Sequence, residues 1–172
     1  MGQIQEDNQL SFFVPVYIIL ICIVSDRFIF VTAGDRPMPI IQWSETFSTA
    51  NPEIDAQHKE WLAIYNKAHD RMMCSDDTDF KSTGIDALQE MKDYSRYHFA
   101  KEEEWMTAIG FPGLDQHKKL HRAFTLEIEG MAQDLQKGNH VLNSEIIKRI
   151  ENWLTHHILN EDQKIKKFTE QG

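Results

Sequence analysis

Apolar side chains recur along most of this chain with the period of an α-helix. From Ile54 onward they fall every three or four residues, and no convincing alternating run of the kind typical of strands interrupts them. Four such stripes follow one another, and the connections between them are short, which places neighbouring helices antiparallel. The pattern therefore predicts an all-α fold, an antiparallel up-down-up-down four-helix bundle.

The ends of the stripes carry residues typical of helix ends. The second stripe ends by Gly110 and Pro112, and the third stops at Gly138, a typical left-handed position. The fourth begins near Asn143 and Ser144, which are favourable N-cap residues. Helix by helix, the stripes contain Ile54, His58, Trp61, Leu62, Tyr65 and Met72; Ala87, Leu88, Met91, Tyr94, His98, Glu102 and Trp105; His117, Leu120, His121, Phe124, Ile128, Met131 and Leu135; and Ile146, Ile147, Ile150, Trp153, Leu154, His157 and Ile158. An apolar N-terminal arm precedes them, and we expect it to pack across the bundle through Ile40, Ile41, Trp43 and Phe47.

Ionisable residues occupy several positions at which the stripes require core side chains. They are His58, His98, Glu102, His117, His121 and His157. Burying so many ionisable groups is very costly unless something pairs with them. A metal ion does so, because it takes neutral imidazole nitrogens and ionised carboxylates as ligands. A lone histidine on an apolar face is most often an ordinary core or surface residue, and on that ground we assign no role to His69, His140 and His156.

The spacing of these residues favours one shared site. His98 and Glu102 lie four residues apart, as do His117 and His121, so each pair projects to one side of its helix. Taken alone, Glu102 sits in a charged run with Lys101 and its following neighbours, a pattern typical of a solvated surface. The recurrence of ligand-type residues on four helices at similar depth outweighs that interpretation.

One pair fits the stripe geometry less well. His157 and Asp162 are five residues apart, which is about 140° around an ideal α-helix, so they straddle their stripe. With Asp162 the set has seven members, more than the four ligands of a structural zinc site. Five histidines, two bridging carboxylates and one bridging oxygen would fill all but one position of two six-coordinate ions. A single open position suits a small diatomic ligand.

Composition narrows the classes of function. The 172 residues suffice for one domain with a sizeable core, and 26% of them are charged, as in soluble globular proteins. The net charge of -9 and the lack of a basic block argue against nucleic acid as a partner. Cys22 and Cys74 have no metal-like spacing, which supports neither a disulfide framework nor a zinc finger and favours a reducing compartment.

Residues 1–37 differ in composition from the rest of the chain, and we treat them as an N-terminal extension beside a domain at 38–172. The apolar run 12–24 is shorter than the roughly 20 residues that a membrane-spanning helix needs. A secretory signal begins with positive charge, which is absent here, although 31–33 (VTA) resembles a cleavage site. Three interpretations stay open: a mis-assigned start before Met38, a signal peptide, or a membrane anchor.

Four segments together carry the pattern H…HxxxE…HxxxH…HxxxxD in order. They are 54–58 (IDAQH), 94–106 (YSRYHFAKEEEWM), 110–121 (GFPGLDQHKKLH) and 153–162 (WLTHHILNED). With this pattern, the stretch 38–172 resembles the bacterial hemerythrins and, more distantly, the oxygen carriers of marine worms. The resemblance implies a hemerythrin-like four-helix bundle that holds two non-heme iron ions joined by an oxo or hydroxo bridge.

The same resemblance implies a role for each matching residue. One iron would be held by His117, His121 and His157, the other by His58 and His98, with Glu102 and Asp162 bridging. Apolar residues corresponding to the family's O2 pocket are Trp153, Leu154 and Ile158.

The function implied is reversible O2 binding by a carrier, store or supply protein that is not an enzyme. O2 is then the partner, the cytoplasm is the expected location, and the oligomeric state stays open. Membrane attachment or export would follow only if 1–37 were an anchor or a signal. Alternative functions of the same centre are an oxidase, a peroxide- or nitric-oxide-handling enzyme, an O2 or redox sensor, and iron storage or delivery.

Overall fold

A computed structural model describes residues 21–24, 27–30, 40–74, 80–139 and 143–171 of the chain. The larger part is helical, as the apolar spacing predicts. Its main elements are α1 (Pro52–Cys74), α2 (Phe80–Ala108), α3 (Leu114–Lys137), α4 (Asn143–His156), a π-helical turn (His157–Asp162) and α5 (Gln163–Gln171). Helix α1 packs against α2 and α4, and α3 packs against α2. The prediction of an antiparallel four-helix bundle is confirmed.

The apolar arm is anchored to the bundle through its backbone. Asn66 on α1 accepts a hydrogen bond from the Ile41 amide at 3.0 Å and donates one to the Ile41 carbonyl at 2.9 Å. Ile41 and Phe47, the latter at the end of a 3₁₀ turn (Glu45–Phe47), join the core. Ile40 was predicted to pack with them, but it is 49% exposed. The arm therefore packs across the bundle from Ile41 onward.

The start of α1 is set by local chemistry. The Asn51 side-chain oxygen accepts hydrogen bonds from the backbone amides of Glu53 and Ile54, at 3.0 and 3.3 Å. Pro52 is the first helical residue, a position where its missing N–H costs nothing. This N-cap fixes the direction of α1, and therefore the position of His58 in its second turn.

The core is continuous from the arm to the last turn of α4. Its fully buried large side chains come from all four main helices and include Trp61, Tyr65, Leu88, Met91, Phe124, Ile128, Ile146, Ile147, Ile150 and Leu154. Trp105, like the stripe residues Tyr94, Leu120 and Trp153, is half-buried. Its neighbour Met106 is fully buried, because Met106 lies one turn after Glu102 on the same face.

The end of α3 is as predicted, whereas the residue predicted to cap α4 has a different role. Gly138 has φ +79° and ends α3 in the left-handed conformation, as predicted. Asn143, expected at an N-cap, is instead the first residue of α4. Its side chain is buried and donates a hydrogen bond to the Met72 carbonyl at 3.0 Å, so it ties α4 to the end of α1.

The last helix is interrupted by a π-helical turn, which the apolar pattern did not predict. The turn spans His157–Asp162, between α4 and α5. A π-helix is wider than an α-helix because its hydrogen bonds join residues five apart. It therefore brings the first and last residues of the turn closer to one face than an ideal α-helix does. The expected straddling of His157 and Asp162 is wrong for this reason.

The chain divides into two units, Met1–Pro37 and Met38–Gly172. In the first unit, Ile21–Val24 and Arg27–Phe30 form an antiparallel pair of short strands, with Ile21 opposite Phe30. These strands add a small β element to a chain predicted to be all-α. None of the described helices is long and apolar enough to cross a membrane. The side chains of Cys22 and Cys74 lie outside the described residues.

Candidate metal centre

The seven residues that the sequence singles out come together inside the bundle. All are at most 3% exposed. They come from α1, α2, α3 and the π-helical turn that follows α4: His58; His98 and Glu102; His117 and His121; and His157 and Asp162. Two groups are close enough to hold an ion, each with one ligand atom per residue within 4.8 Å of the others. The first contains Glu102, His117, His121 and His157, and the second contains His58, His98 and Glu102.

Glu102 belongs to both groups and lies at the centre of the first. Its Oε2 is 3.1 Å from Nε2 of His117, 3.1 Å from Nε2 of His121 and 3.9 Å from Nε2 of His157. The Nε2 atoms of His121 and His157 are themselves 3.1 Å apart. Three imidazole nitrogens and one carboxylate thus point at one small volume.

Asp162 connects the two groups from the other side. Its Oδ1 lies 3.2 Å from His157 Nε2 and 3.4 Å from His117 Nε2. Its Oδ2 lies 3.3 Å from Nε2 of His58, which belongs to the second group. The rings of His58 and His98 are 4.8 Å apart between centroids. Glu102 and Asp162 each therefore face both groups of histidines, the arrangement that bridging carboxylates require.

Several polar atoms at the centre are buried without a hydrogen-bond partner. They are Nδ1 and Nε2 of His58, Nε2 of His98, Oε1 of Glu102 and both carboxylate oxygens of Asp162. Buried polar atoms are nearly always satisfied in folded proteins, since an unsatisfied one costs about 1–3 kcal/mol. Imidazole nitrogens and carboxylate oxygens buried together without partners fit metal ions, which accept one lone pair from each histidine and lone pairs from the carboxylates. The residues present therefore fit a metal centre.

The electrostatics of the cluster favour the protonation states that His98 and Glu102 need as ligands. Burial lowers the pKa of His98 well below its ordinary value, so this imidazole stays neutral. Burial would raise the pKa of Glu102, but hydrogen bonds from His117, His121 and His157 outweigh burial and hold that pKa well below its usual range. Burial likewise opposes the charge on His117, yet its hydrogen bond to Glu102 leaves its pKa raised. An ionised carboxylate among histidines is the form that binds a cation.

Aromatic rings cover the histidine-rich side. The Trp153 ring stacks on His157, with centroids 4.3 Å apart, and on Phe124 at 3.9 Å. Phe99 stacks on His121 with centroids 3.8 Å apart and planes inclined by 11°. Of the three predicted pocket residues, Leu154 and Ile158 are fully buried in the core and Trp153 is half-buried. Aromatic rings thus pack directly on His121 and His157.

Two residues that the sequence reasoning missed contact the histidines from outside the cluster. Gln57 Oε1 lies 3.1 Å from Nδ1 of His98, and Glu103 Oε1 lies 2.9 Å from Nδ1 of His121. Glu103 had been grouped with the solvated run around Lys101. A signal was present for Gln57, which directly precedes a predicted ligand. The sequence offers no signal that separates Glu103 from its exposed neighbour Glu104, because the two differ only in whether α3 packs beside them.

The remaining described histidines lie apart from the cluster. His69 is 4% exposed, and its Nδ1 lies 3.1 Å from Oδ1 of Asp70. His156 is exposed and contacts Asn160 on the same helical turn. His140 lies outside the described residues. Neither described histidine belongs to either group of candidate ligands.

Comparison with known proteins agrees with this geometry. The bacteriohemerythrin of Clostridium acetobutylicum is 25% identical over 123 residues, which cover 71% of this chain and 95% of that protein. The myohemerythrin of Theromyzon tessulatum is 29% identical over 125 residues, covering 73% and 90%. A crystal structure of wild-type hemerythrin superposes with a TM-score of 0.67 at 24% identity, covering 75% of this chain and 97% of that one. This structural similarity shows the shared fold.

The family assignment rests on the region that holds the cluster. The family model described as the hemerythrin HHE cation binding domain matches residues 49–168. That range begins just before α1, ends within α5 and includes all seven buried candidate ligands. The chain therefore belongs to the hemerythrin family.

Proposed function

We propose that this protein binds O2 reversibly at a centre of two non-heme iron ions, without catalysing a reaction. The observation that carries the proposal is the pair of buried ligand groups that share Glu102. A single ion would use one group, whereas two groups with a common carboxylate match two ions side by side. Relatives named bacteriohemerythrin and myohemerythrin support the choice of iron and O2.

We assign the ligands from the contacts. His117, His121 and His157 converge with Glu102 on one position, and His58 and His98 face the other. Glu102 and Asp162 contribute the two bridging carboxylates, since each lies near both groups. The first position then has three histidines and the second two, which leaves the second with the open site for O2. When bound, the ferrous pair supplies the two electrons that reversible O2 binding requires.

The protein's own residues contribute ligand geometry and exclusion of water. Neutral imidazoles dominate the set, and only two ligands carry negative charge. Fewer anionic ligands stabilise ferrous ions relative to higher oxidation states, which favours reversible binding over oxygenase chemistry. We propose Trp153, Leu154 and Ile158 as the apolar wall of the O2 pocket, a role that suits two fully buried aliphatic side chains and a ring stacked on His157.

We further propose that 38–172 is the functional unit and 1–37 an extension to it, consistent with the division at Pro37. All seven candidate ligands and all three pocket residues belong to the larger unit.

Oxygen uptake by the reduced, iron-loaded full chain tests the function. We expect one O2 taken up for each pair of irons and its recovery when the pressure of O2 is lowered. Uptake without recovery would instead indicate an oxidase or a peroxide-handling enzyme. Failure of the chain to hold two irons would overturn the proposal.

A further inference from the structure

Two candidate ligand histidines are held by neighbours of different charge. Nδ1 of His121 lies 2.9 Å from a Glu103 carboxylate oxygen, whereas Nδ1 of His98 lies 3.1 Å from the amide oxygen of Gln57. His121 belongs to the three-histidine group and His98 to the two-histidine group. The two metal positions therefore differ in the number of histidines. They also differ in whether the residue that contacts one of those histidines is charged.

Burial explains why His121 has a charged neighbour and His98 a neutral one. Gln57 is 6% exposed, in a place where an unpaired carboxylate would be costly. The Glu103 side chain is 27% exposed and lies 3.8 Å from Nζ of Lys118. It lines an open depression of about 340 Å³ between α2 and α3, together with Arg96 and Arg122. Glu103 is thus accessible to solvent and close to the Lys118 ammonium while it still reaches a buried histidine.

The ring of His121 has little freedom to turn. Phe99 stacks flat on it at 3.8 Å, and its Nε2 points at Glu102 Oε2, 3.1 Å away. An ionised carboxylate can only accept a hydrogen bond, so Nδ1 of His121 must donate to Glu103. A cation at the candidate metal position would then take the lone pair of His121 Nε2 in place of that nitrogen's hydrogen bond to Glu102. The carboxylate also makes the imidazole a stronger donor to a cation.

We propose that Glu103 is a positioning residue that strengthens His121 as a ligand and makes the three-histidine position the tighter of the two metal positions. This inference rests on the proposed function and adds that the two ions are bound with unequal affinity. Gln57 orients His98 in the same way without a charge. The ion at the three-histidine position, held in part by His121, binds first and is the more easily oxidised of the two.

Three variants separate charge from hydrogen bonding. Glu103→Gln keeps a hydrogen-bond acceptor at the position and removes the charge, and Glu103→Ala removes both. Glu104→Gln is the matched control, because it removes the same charge from the adjacent residue, which pairs with exposed Lys101 and contacts no histidine. The readouts are Co²⁺ affinity of the metal-free full chain, by competition with a chelator, and the midpoint potential of the iron-loaded chain.

We expect Glu103→Gln to weaken the tighter Co²⁺ site about tenfold and to raise the midpoint potential, with Glu103→Ala weakening binding further and Glu104→Gln unchanged. Equal behaviour of Glu103→Gln and Glu104→Gln in both measurements would overturn the inference. If the Co²⁺ result is as expected but the iron-loaded wild type takes up no O2, the positioning role stands and the proposed function fails.

Discussion

Asp162 lies five residues after His157, and its Oδ1 is nevertheless 3.2 Å from Nε2 of that histidine. The π-helical turn that spans these residues makes the contact possible, since its hydrogen bonds join residues five apart. π-turns occur mostly as single turns at functional sites. Here the turn brings together a histidine of the first group and a carboxylate that faces both groups.

Removing the Asp162 charge should weaken metal binding without destabilising the metal-free fold. The side chain is fully buried, and neither oxygen has a hydrogen-bond partner. Asp162→Asn keeps the volume and relieves the metal-free protein of a buried carboxylate. We expect the iron content to fall from two per chain to one or none, while the unfolding midpoint of the metal-free protein stays the same or rises.

Metal analysis of the iron-loaded variant checks the expected loss of iron. Thermal unfolding of the metal-free variant checks the expected midpoint. A variant that keeps two irons would remove Asp162 from the ligand set. A metal-free variant several degrees less stable than the wild type would show that Asp162 has a structural role instead.

His69 provides the histidine control for the ligand assignment. It is buried like the candidate ligands but lies outside both groups. We expect His69→Ala to lower the free energy of unfolding by about 1–3 kcal/mol and to retain two irons. We expect His117→Ala, which removes a nitrogen 3.1 Å from Glu102, to lose iron. Iron loss from His69→Ala, measured as iron per folded chain, would show that the ligand set is wrong.

Trp153 should protect the centre as well as the fold. Its ring lies between those of His157 and Phe124. We expect Trp153→Ala to lower the free energy of unfolding by about 2–3 kcal/mol, less than a fully buried tryptophan, and to speed irreversible oxidation of the O2-bound protein. Trp153→Phe retains a stacking ring and should lie between the two. Unchanged oxidation rates in both variants would exclude Trp153 from the pocket wall.

Alkaline pH should weaken the bundle through two tyrosines. Burial, with smaller contributions from Glu60 and Tyr97, raises the pKa of Tyr94 to about 12. Burial and the nearby Glu151 carboxylate raise the pKa of Tyr65 as well. Because the unfolded value is about 10, the folded state holds these protons more tightly. Their contribution to stability is complete below about pH 10 and is lost as the pH rises towards 12.

Chemical unfolding of the metal-free protein at a series of pH values measures this loss. Tyr94→Phe should show a shallower decline than the wild type between about pH 10 and 12. Parallel curves for the two proteins would contradict the assignment.

The sequence predicts the helices and the cluster because both follow from burial. A stripe that must face the core places His58, His98 and His117 beside Leu88 and Phe124, and the cost of burying them points to a metal. The π-turn could not be predicted, since nothing in HILNED favours the wider turn over an α-helix without its tertiary contacts. Glu103 could not be separated from Glu104 for a similar reason, because both are surface-type residues in one charged run.

Cycling the reduced, iron-loaded full chain between air and argon while recording its visible spectrum tests the central claim most directly. Iron per chain is measured before and after. We predict two irons per chain and a charge-transfer band that appears in air, disappears under argon and returns over repeated cycles with constant iron content. Immediate oxidation with no lasting band, or a chain that holds one iron or none, would contradict reversible O2 binding at a di-iron centre.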